Sequence, residues 1–347
     1  MCLNGQTVLV TGGTGSFGQK FIEVALRDFE PRKLIVISRD ELKQYEMQQN
    51  PAFQDDRLRF FLGDVRDLDR LRRAFNDVDI VIHAAALKQV PAAEYNPFEV
   101  IKTNIFGAQN VIEAALDQGV KRVIALSTDK AANPLNLYGA SKLCSDKLFV
   151  AGNAYTGQGV TRFSVVRYGN VLGSRGSVLP LFLKQRETGV VTITDPRMTR
   201  FWITLEQGVR FVLHALETML GGELFVPKIP SMTMGAMAST LAPNCRHEVV
   251  GVRPGEKLHE VMIPEDEAHR GLDCDGYYVI QPSFGWWNET AANHHGGRPL
   301  PPDFRYASDS NTQWMSPAEL LDIAHAMFPA AGLLPPVANR AIVQFAA

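Results

Sequence analysis

Through its first half the chain alternates short apolar runs with longer stretches in which apolar residues return every third or fourth position. The runs at 7–11, 33–38, 58–62, 79–83, 122–127 and 163–168 are bounded by turn residues and predict strands. Most are close to continuously apolar, the pattern of a parallel sheet covered on both faces. Segments 17–28, 67–75, 97–118 and 137–153 carry the helical period, so each predicts an amphipathic crossover helix. Strand and helix in alternation predict a doubly wound α/β fold. The rhythm fails after Asn170, where Gly173, Gly176 and Pro180 punctuate the chain, and a smaller lobe is expected from there. Helices at 205–219 and 316–328 and short strands near 222–227 and 248–252 are assigned to it. Segment 285–303, rich in Gly and Pro with paired Trp and paired His, reads as an irregular loop, and the last fifteen residues as a fraying end.

Composition narrows the function. At 347 residues the chain has room for two domains, divided here as 1–170 and 171–347. With 46% hydrophobic and 21% charged residues it has the make-up of a folded globular protein, not of a disordered or fibrous one. A formal charge of -2 leaves no global field to draw nucleic acid or an anionic membrane, so any anion site must be local. No apolar window reaches the roughly 18 residues needed to span a bilayer. The first strand begins at Thr7, leaving no room for a secretory leader, and Cys2, Cys144, Cys245 and Cys274 lack paired spacing. These features predict a cytoplasmic protein with unpaired thiols. The histidines show no metal-ligand spacing, so no metal is expected, and His83 reads as a structural residue.

Thr11-Gly12-Gly13-Thr14-Gly15-Ser16-Phe17-Gly18 follows the first strand and opens the first helix. Glycines there allow a tight turn and close backbone approach, while free amides and the helix dipole favour a pyrophosphate, which predicts dinucleotide binding on a Rossmann sheet. At the tip of the second strand stand Ser38 and Arg39, with Lys43 one turn beyond. An arginine beside a hydroxyl suits a ribose 2'-phosphate, so NADP is favoured over NAD. Asp40 argues the other way. Asp64 and Val65, after the third strand, fit an adenine-side contact, although an aspartate there also serves as a helix cap.

Tyr138 and Lys142 stand four apart in a helical stretch and share a face, where an ammonium can lower a phenol's pKa and make it a base toward a sugar hydroxyl. Thr128 ends the preceding strand, at the edge where doubly wound sheets bind ligands, and can bond the same hydroxyl. The three form a candidate redox site.

With these motifs in place, the chain resembles the extended short-chain dehydrogenase/reductase family. Within it, the likeness is to the inverting UDP-N-acetylglucosamine 4,6-dehydratases of pseudaminic acid and flagellin glycan synthesis. The segments that carry it are residues 11–18, Ser38-Arg39-Asp40-Glu41-Leu42-Lys43, Gly63-Asp64-Val65-Arg66-Asp67, His83-Ala84-Ala85-Ala86-Leu87-Lys88 and Lys102-Thr103-Asn104. Further on come Ser127-Thr128-Asp129-Lys130-Ala131, Tyr138-Gly139-Ala140-Ser141-Lys142, Arg167-Tyr168-Gly169-Asn170, residues 173–178, Met198-Thr199-Arg200-Phe201-Trp202 and Arg253-Pro254-Gly255-Glu256-Lys257. The resemblance implies an NADP-binding amino-terminal domain and a carboxyl-terminal substrate lobe acting on a UDP-sugar. It implies that Tyr138 takes the C4 hydroxyl proton, Lys130 removes the C5 proton, and Asp129 donates to the departing C6 hydroxyl, with reprotonation of C5 on the opposite face. For Lys130 to act so, its pKa must fall below the solution value of about 10.4, which burial and Lys142 favour and Asp129 opposes. It further implies cofactor contacts from Ala84, Lys88 and Asn104, and substrate contacts from Lys88, Asn170, Val178, Met198, Arg253 and Glu256, as well as a homo-oligomer, a hexamer. Arg253 has the best physical case among these, since a guanidinium clamps a diphosphate bidentately. Met198 and Val178 have the composition of core residues. The departures from the family pattern are Gln89, where histidine is common, and the insertion after Phe284.

Two other readings stay open. A sugar-nucleotide epimerase or ketoreductase would need only Thr128, Tyr138 and Lys142; a non-catalytic NADP-binding sensor would need only the glycine loop.

Overall fold

The computed structural model describes residues 2–157, 159–283 and 294–329. Six parallel strands run as predicted: β1 (Thr7–Thr11), β2 (Lys33–Ser38), β3 (Leu58–Leu62), β4 (Ile80–His83), β5 (Arg122–Thr128) and β6 (Arg162–Tyr168). Their spatial order is β3-β2-β1-β4-β5-β6, so the winding reverses between β1 and β4. A crevice opens at such a reversal, outside the carboxyl ends of the strands. Every residue of β1 and β4 is buried, which explains why these runs are apolar but for Thr7, Thr11 and His83 at their ends.

Crossover helices cover the sheet: α1 (Ser16–Asp28), α2 (Glu41–Gln49), α3 (Leu68–Ala74), α4 (Val90–Tyr95), α5 (Pro97–Ile101), α6 (Gly107–Asp117) and α7 (Leu137–Gly152). The periodicity expected over 97–118 is present but broken by a π turn, Lys102–Phe106, between α5 and α6. Helix α2 left little trace in the apolar pattern because only Gln44 and Met47 are buried in it. Its start is fixed by Asp40, whose side chain caps the Lys43 amide at 3.0 Å.

Beyond β6 come β7 (Asn170–Val171), α8 (Val178–Arg186), β8 (Val190–Ile193), β9 (Thr199–Ile203), α9 (Leu205–Thr218), β10 (Leu224–Pro227), β11 (Ser231–Thr233) and α10 (Met234–Leu241). They are followed by β12 (Arg246–Val249), β13 (Val261–Ile263), β14 (Gly271–Cys274), β15 (Tyr277–Ile280), β16 (Arg298–Pro299), β17 (Tyr306–Ala307) and a helix at Pro317–Met327. A separate small core of Leu172, Phe182, Val191, Trp202, Met237 and Leu320 holds the second lobe together.

One assignment needs correcting. Helix α9 and strand β10, placed in the smaller lobe from sequence, belong to the main layer: β10 pairs parallel to β6, and α9 packs on α1. β15, β14 and β16 then extend the same sheet antiparallel. The physical reason is the outer edge of β6, which would stay open without them. Of segment 285–303, the part from 294 onward is described and supplies β16. The part of that insertion before residue 294 and the last fifteen residues lie outside the described residues.

Candidate active site

The carboxyl ends of the parallel strands and the loops that follow them surround a cleft of about 750 Å³. Its floor at β1 is the glycine loop. Gly12 has φ +67°, and a side chain there would bring Cβ within 2.9 Å of the Ala85 backbone. A Cβ on Gly18 would lie 2.5 Å from Gly13. Both positions therefore require glycine, one for its backbone and one for close packing. Gly15 caps α1 without a side chain, and the first turn holds no acid, so neither the cap nor the first turn neutralises the helix start. That is a cradle shaped for a pyrophosphate. Thr14, Ser16 and Phe17 line it, and Phe17 stacks on Tyr168.

At the tip of β2, Thr14 Oγ1 donates to Ser38 Oγ at 3.0 Å, and Ser38 Oγ also accepts from the Asp40 amide at 3.2 Å. The Asp40 carboxylate is engaged: it caps α2 and pairs with Lys43 Nζ at 2.5 Å, and that ammonium holds it below the usual carboxylate range. Arg39 is half exposed and 3.7 Å from Asp64, which Arg66 also holds at 2.8 Å. Val65 is buried beside them, its carbonyl accepting from Asn110 Nδ2 at 3.0 Å.

Along the next wall, Ala84 and Lys88 line the cleft after β4. Asn104 does not; it is buried behind that loop. Its Oδ1 accepts from the Leu87 amide at 2.8 Å, and its Nδ2 donates to the Leu87 carbonyl at 2.9 Å and to Ser141 Oγ at 3.0 Å. The π turn carries Asn104, a use of that irregularity common at functional sites. His83 is fully buried with Nδ1 2.8 Å from Thr11 Oγ1, and burial drives its pKa down to about 3. A neutral structural histidine is what results.

Thr128, Lys130, Tyr138 and Lys142 all face the cleft, and Asp129 lies buried directly behind it. Thr128 Oγ1 donates to Asp129 Oδ1 at 2.9 Å, and Lys130 Nζ reaches the same oxygen at 3.1 Å. Burial raises Asp129, overcoming the lowering by Lys130. Two expectations about proton affinity are corrected here. Burial alone would lower Lys130, but the carboxylates of Asp129 and Glu260 outweigh it and hold the ammonium above the ordinary lysine value. Tyr138 rises to about 12 because burial dominates; the cation that lowers it is Lys130, not Lys142. Lys142 is itself lowered by burial, with Asp146 pulling back.

Several residues of this centre escaped sequence reasoning. Glu260, 2% exposed, lies 3.2 Å from Lys130 Nζ, and Arg200 and Lys257 approach it at 3.8 and 4.0 Å. Behind Lys142, buried Asp146 accepts from Ser127 Oγ at 2.6 Å and faces Arg167 at 3.6 Å, which Glu267 holds at 2.6 Å. Arg200, Lys257, Ser127 and Arg167 fall within motifs quoted above, and there for likeness alone.

At the far end of the cleft stand Asn170, Arg253 and Glu256. Asn170 Oδ1 and Glu256 Oε2 are buried with no hydrogen-bond partner among the described residues, whereas Arg253 is 60% exposed and 3.8 Å from Glu256. Gly255 makes this turn at φ +81°, its carbonyl accepting from Asn136 Nδ2 at 2.7 Å. Val178 and Met198 do not line the cleft: both pack on the small core, and Met198 is 3% exposed. Arg175, not singled out from sequence, does line it, and its amide donates to Ser16 Oγ at 3.2 Å. Among the described residues no group of His, Cys, Asp and Glu is placed to hold a metal ion, and no helix is long and apolar enough to cross a membrane.

Residues 8–282 match the family described as polysaccharide biosynthesis protein. The chain belongs to that family. The match runs from β1 through β15 and takes in every cleft residue named above. Among curated relatives, a UDP-N-acetylglucosamine 4,6-dehydratase (inverting) of Campylobacter jejuni (serotype O:23/36, strain 81-176) is 56% identical over 327 residues, 92% of this chain and 97% of that one. A UDP-glucose 4-epimerase of Rickettsia felis is 42% identical over 283 residues, 79% of this chain and 82% of its own. Among solved structures, Pen from Bacillus thuringiensis superposes with a TM-score of 0.84 at 36% identity, covering 93% of this chain and 98% of that one.

Proposed function

We propose that the chain is an NADP-dependent UDP-N-acetylglucosamine 4,6-dehydratase that inverts C5. The observation that carries this reading is the Asp129–Lys130 pair, 3.1 Å apart and placed beside Thr128 and Tyr138. An epimerase or ketoreductase needs no such second acid and base. The 56% identity to the Campylobacter jejuni dehydratase supports the choice over the epimerase relative at 42%.

The cradle made by Gly12 and Gly18, which a Cβ would fill, fits a dinucleotide. Gly12, Thr14, Gly15, Ser16, Phe17 and Gly18 would hold its pyrophosphate, and Asp64 and Val65 its adenine side. Ala84 and Lys88 would flank it, with Asn104 fixing their loop. When bound, it supplies an acceptor for the C4 hydrogen and later returns that hydrogen to C6. Tyr138 takes the proton of the C4 hydroxyl while Thr128 orients that hydroxyl and Lys142 steadies the developing charge. The C4 ketone acidifies the C5 hydrogen, and the free amine of Lys130 takes it. Asp129 gives its proton to the C6 hydroxyl, which leaves as water, and once C6 has regained its hydrogen C5 takes up a proton on the face opposite the one it lost, which inverts it. Lys88 and Asn170 meet the sugar, and Arg253 and Glu256 the diphosphate and ribose. Val178 and Met198 would reach the nucleotide only if the small core yields to it.

The test is incubation of the purified chain with UDP-N-acetylglucosamine and no added reductant. Mass spectrometry should show loss of one water, and NMR a 4-keto-6-deoxy sugar inverted at C5 and labelled there from deuterated solvent. Unchanged mass would favour the epimerase, and consumption of dinucleotide in step with product would overturn the reading. The proposal extends to service in pseudaminic acid synthesis in the cytoplasm and to a homo-oligomer, a hexamer. Exposed Tyr95, Phe98 and Phe106 on neighbouring helical segments support self-association, which sedimentation would measure.

The choice of NADP rests on Arg39, since Lys43 occupies the Asp40 carboxylate that would otherwise meet a ribose 2'-hydroxyl. Arg39→Ala should weaken NADPH binding by about thirtyfold, the effect of roughly 2 kcal/mol for a charge-assisted hydrogen bond, and leave NADH binding nearly unchanged. Fluorescence titration of both dinucleotides reads this directly. An equal loss for both would assign Arg39 elsewhere.

A further inference from the structure

We propose that Glu260 is a positioning residue of this centre: it holds the Lys130 ammonium beside Asp129 and sets the pH at which Lys130 becomes a base. The inference rests on the dehydratase reading and adds a residue to it.

The geometry is specific. Lys130 Nζ bridges two buried carboxylates, Asp129 Oδ1 at 3.1 Å and Glu260 Oε1 at 3.2 Å. Asp129 is 0% and Glu260 2% exposed, and each keeps one oxygen with no hydrogen-bond partner among the described residues. The two residues come from distant parts of the chain, Asp129 from the turn after β5 and Glu260 from just before β13, and these two elements pack together. The Glu260 backbone is itself fixed: its amide donates to Ser308 Oγ at 2.9 Å and its carbonyl accepts from the Ser308 amide at 2.8 Å. A buried carboxylate on a fixed backbone, aimed at a lysine that lines the cleft, is a means of controlling that lysine's proton.

The charged and titratable groups around the pair are Asp129, Arg200, Lys257 and Tyr138. Arg200 from β9 and Lys257 from the preceding loop help keep Glu260 ionised, at 3.8 and 4.0 Å. Burial opposes that, but Lys130, Arg200 and Lys257 together hold Glu260 below the usual carboxylate range, while burial holds Asp129 above it. Glu260 is therefore the standing counterion of Lys130, and Asp129 is left free to keep the proton it must deliver. The same field means that Lys130 loses its own proton only at elevated pH. When it does, its amine takes the C5 proton, the electron pair passes to the C4 ketone oxygen, and the ammonium is re-formed between the Glu260 carboxylate and the Asp129 carboxyl, which still carries its proton.

The test follows C5 as a function of pH. With UDP-N-acetylglucosamine in deuterated buffer, entry of solvent deuterium at C5 should rise with pH along a limb set by Lys130. In Glu260→Gln, which keeps shape and removes charge, that limb should move to lower pH by about one unit or more, as expected for loss of an adjacent opposite charge. Glu260→Asp should restore the limb to the wild-type side. Lys257→Met, which strips a cation from Glu260 and strengthens its hold on Lys130, should move the limb to higher pH. Opposite shifts from two neighbours cannot come from general loosening of the fold, and the Lys257 arm stands even where a Glu260 variant fails to fold. A limb that stays in place in Glu260→Gln, or in Lys257→Met, overturns the inference while wild-type turnover upholds the dehydratase reading. Absence of wild-type dehydration overturns the reading itself.

Discussion

Replacing Lys130 with methionine should halt the reaction after the C4 hydrogen has left, lowering water elimination by about 10²- to 10⁴-fold. Methionine keeps a flexible apolar stem but has no amine to receive the C5 proton. Reduced dinucleotide should accumulate in a single turnover, seen by its absorbance, and solvent deuterium should fail to enter C5. Deuterium entering at the wild-type rate would remove Lys130 from its assigned role. The variant also leaves Asp129 and Glu260 buried without the cation they share. An orphaned carboxylate binds its proton more tightly folded than unfolded. Its pKa is then raised, so stability is fully present below the unfolded value of about 4 and is lost as pH rises through the folded one. Lys130→Met should therefore lose melting temperature relative to wild type near neutrality and recover part of it in mild acid.

Tyr138→Phe should produce the other large loss, about 10²- to 10⁴-fold in turnover, and it should block the reaction earlier. No reduced dinucleotide should accumulate, because the C4 hydroxyl keeps its proton. Dinucleotide affinity should change little, since the glycine cradle is untouched. In the wild type, burial holds the Tyr138 phenol up to about 12, so its deprotonated form becomes more populated as pH rises. The rate of the first hydrogen transfer should climb toward alkaline pH in wild type, and the residual rate in Tyr138→Phe should lose that climb. Stopped-flow absorbance across pH distinguishes the two. The contrast with Lys130→Met, stalled before rather than after reduction of the dinucleotide, separates the two bases.

The main sheet was legible because β1, β2 and β4 to β6 are largely buried and therefore written as apolar runs. The glycine loop was legible because Gly12 and Gly18 answer to local backbone constraints. Tyr138 and Lys142 lie four apart on one helix, so short spacing exposed them, whereas Asp129 and Lys130 were carried by the family resemblance alone. Glu260, Arg200 and Lys257 were not visible in the same way: they approach Lys130 from segments 70 to 130 positions away along the chain. Nor does a motif report burial, and burial decides the proton affinities of Lys130 and Tyr138. The assignment of β10 to the wrong lobe has a similar cause, since a four-residue strand does not encode its neighbour.

The return of the chain to the main sheet after β9 has a mechanical meaning. The second half does not hang from a single linker at residue 170; it leaves the large layer, comes back as α9 and β10, departs again, and is stitched in once more by β14 and β15. Swinging the two halves apart would have to strain several tethers at once. Access for a bulky nucleotide must then be granted by loop tips such as those carrying Lys88, Arg175 and Arg253, with the frame itself standing still.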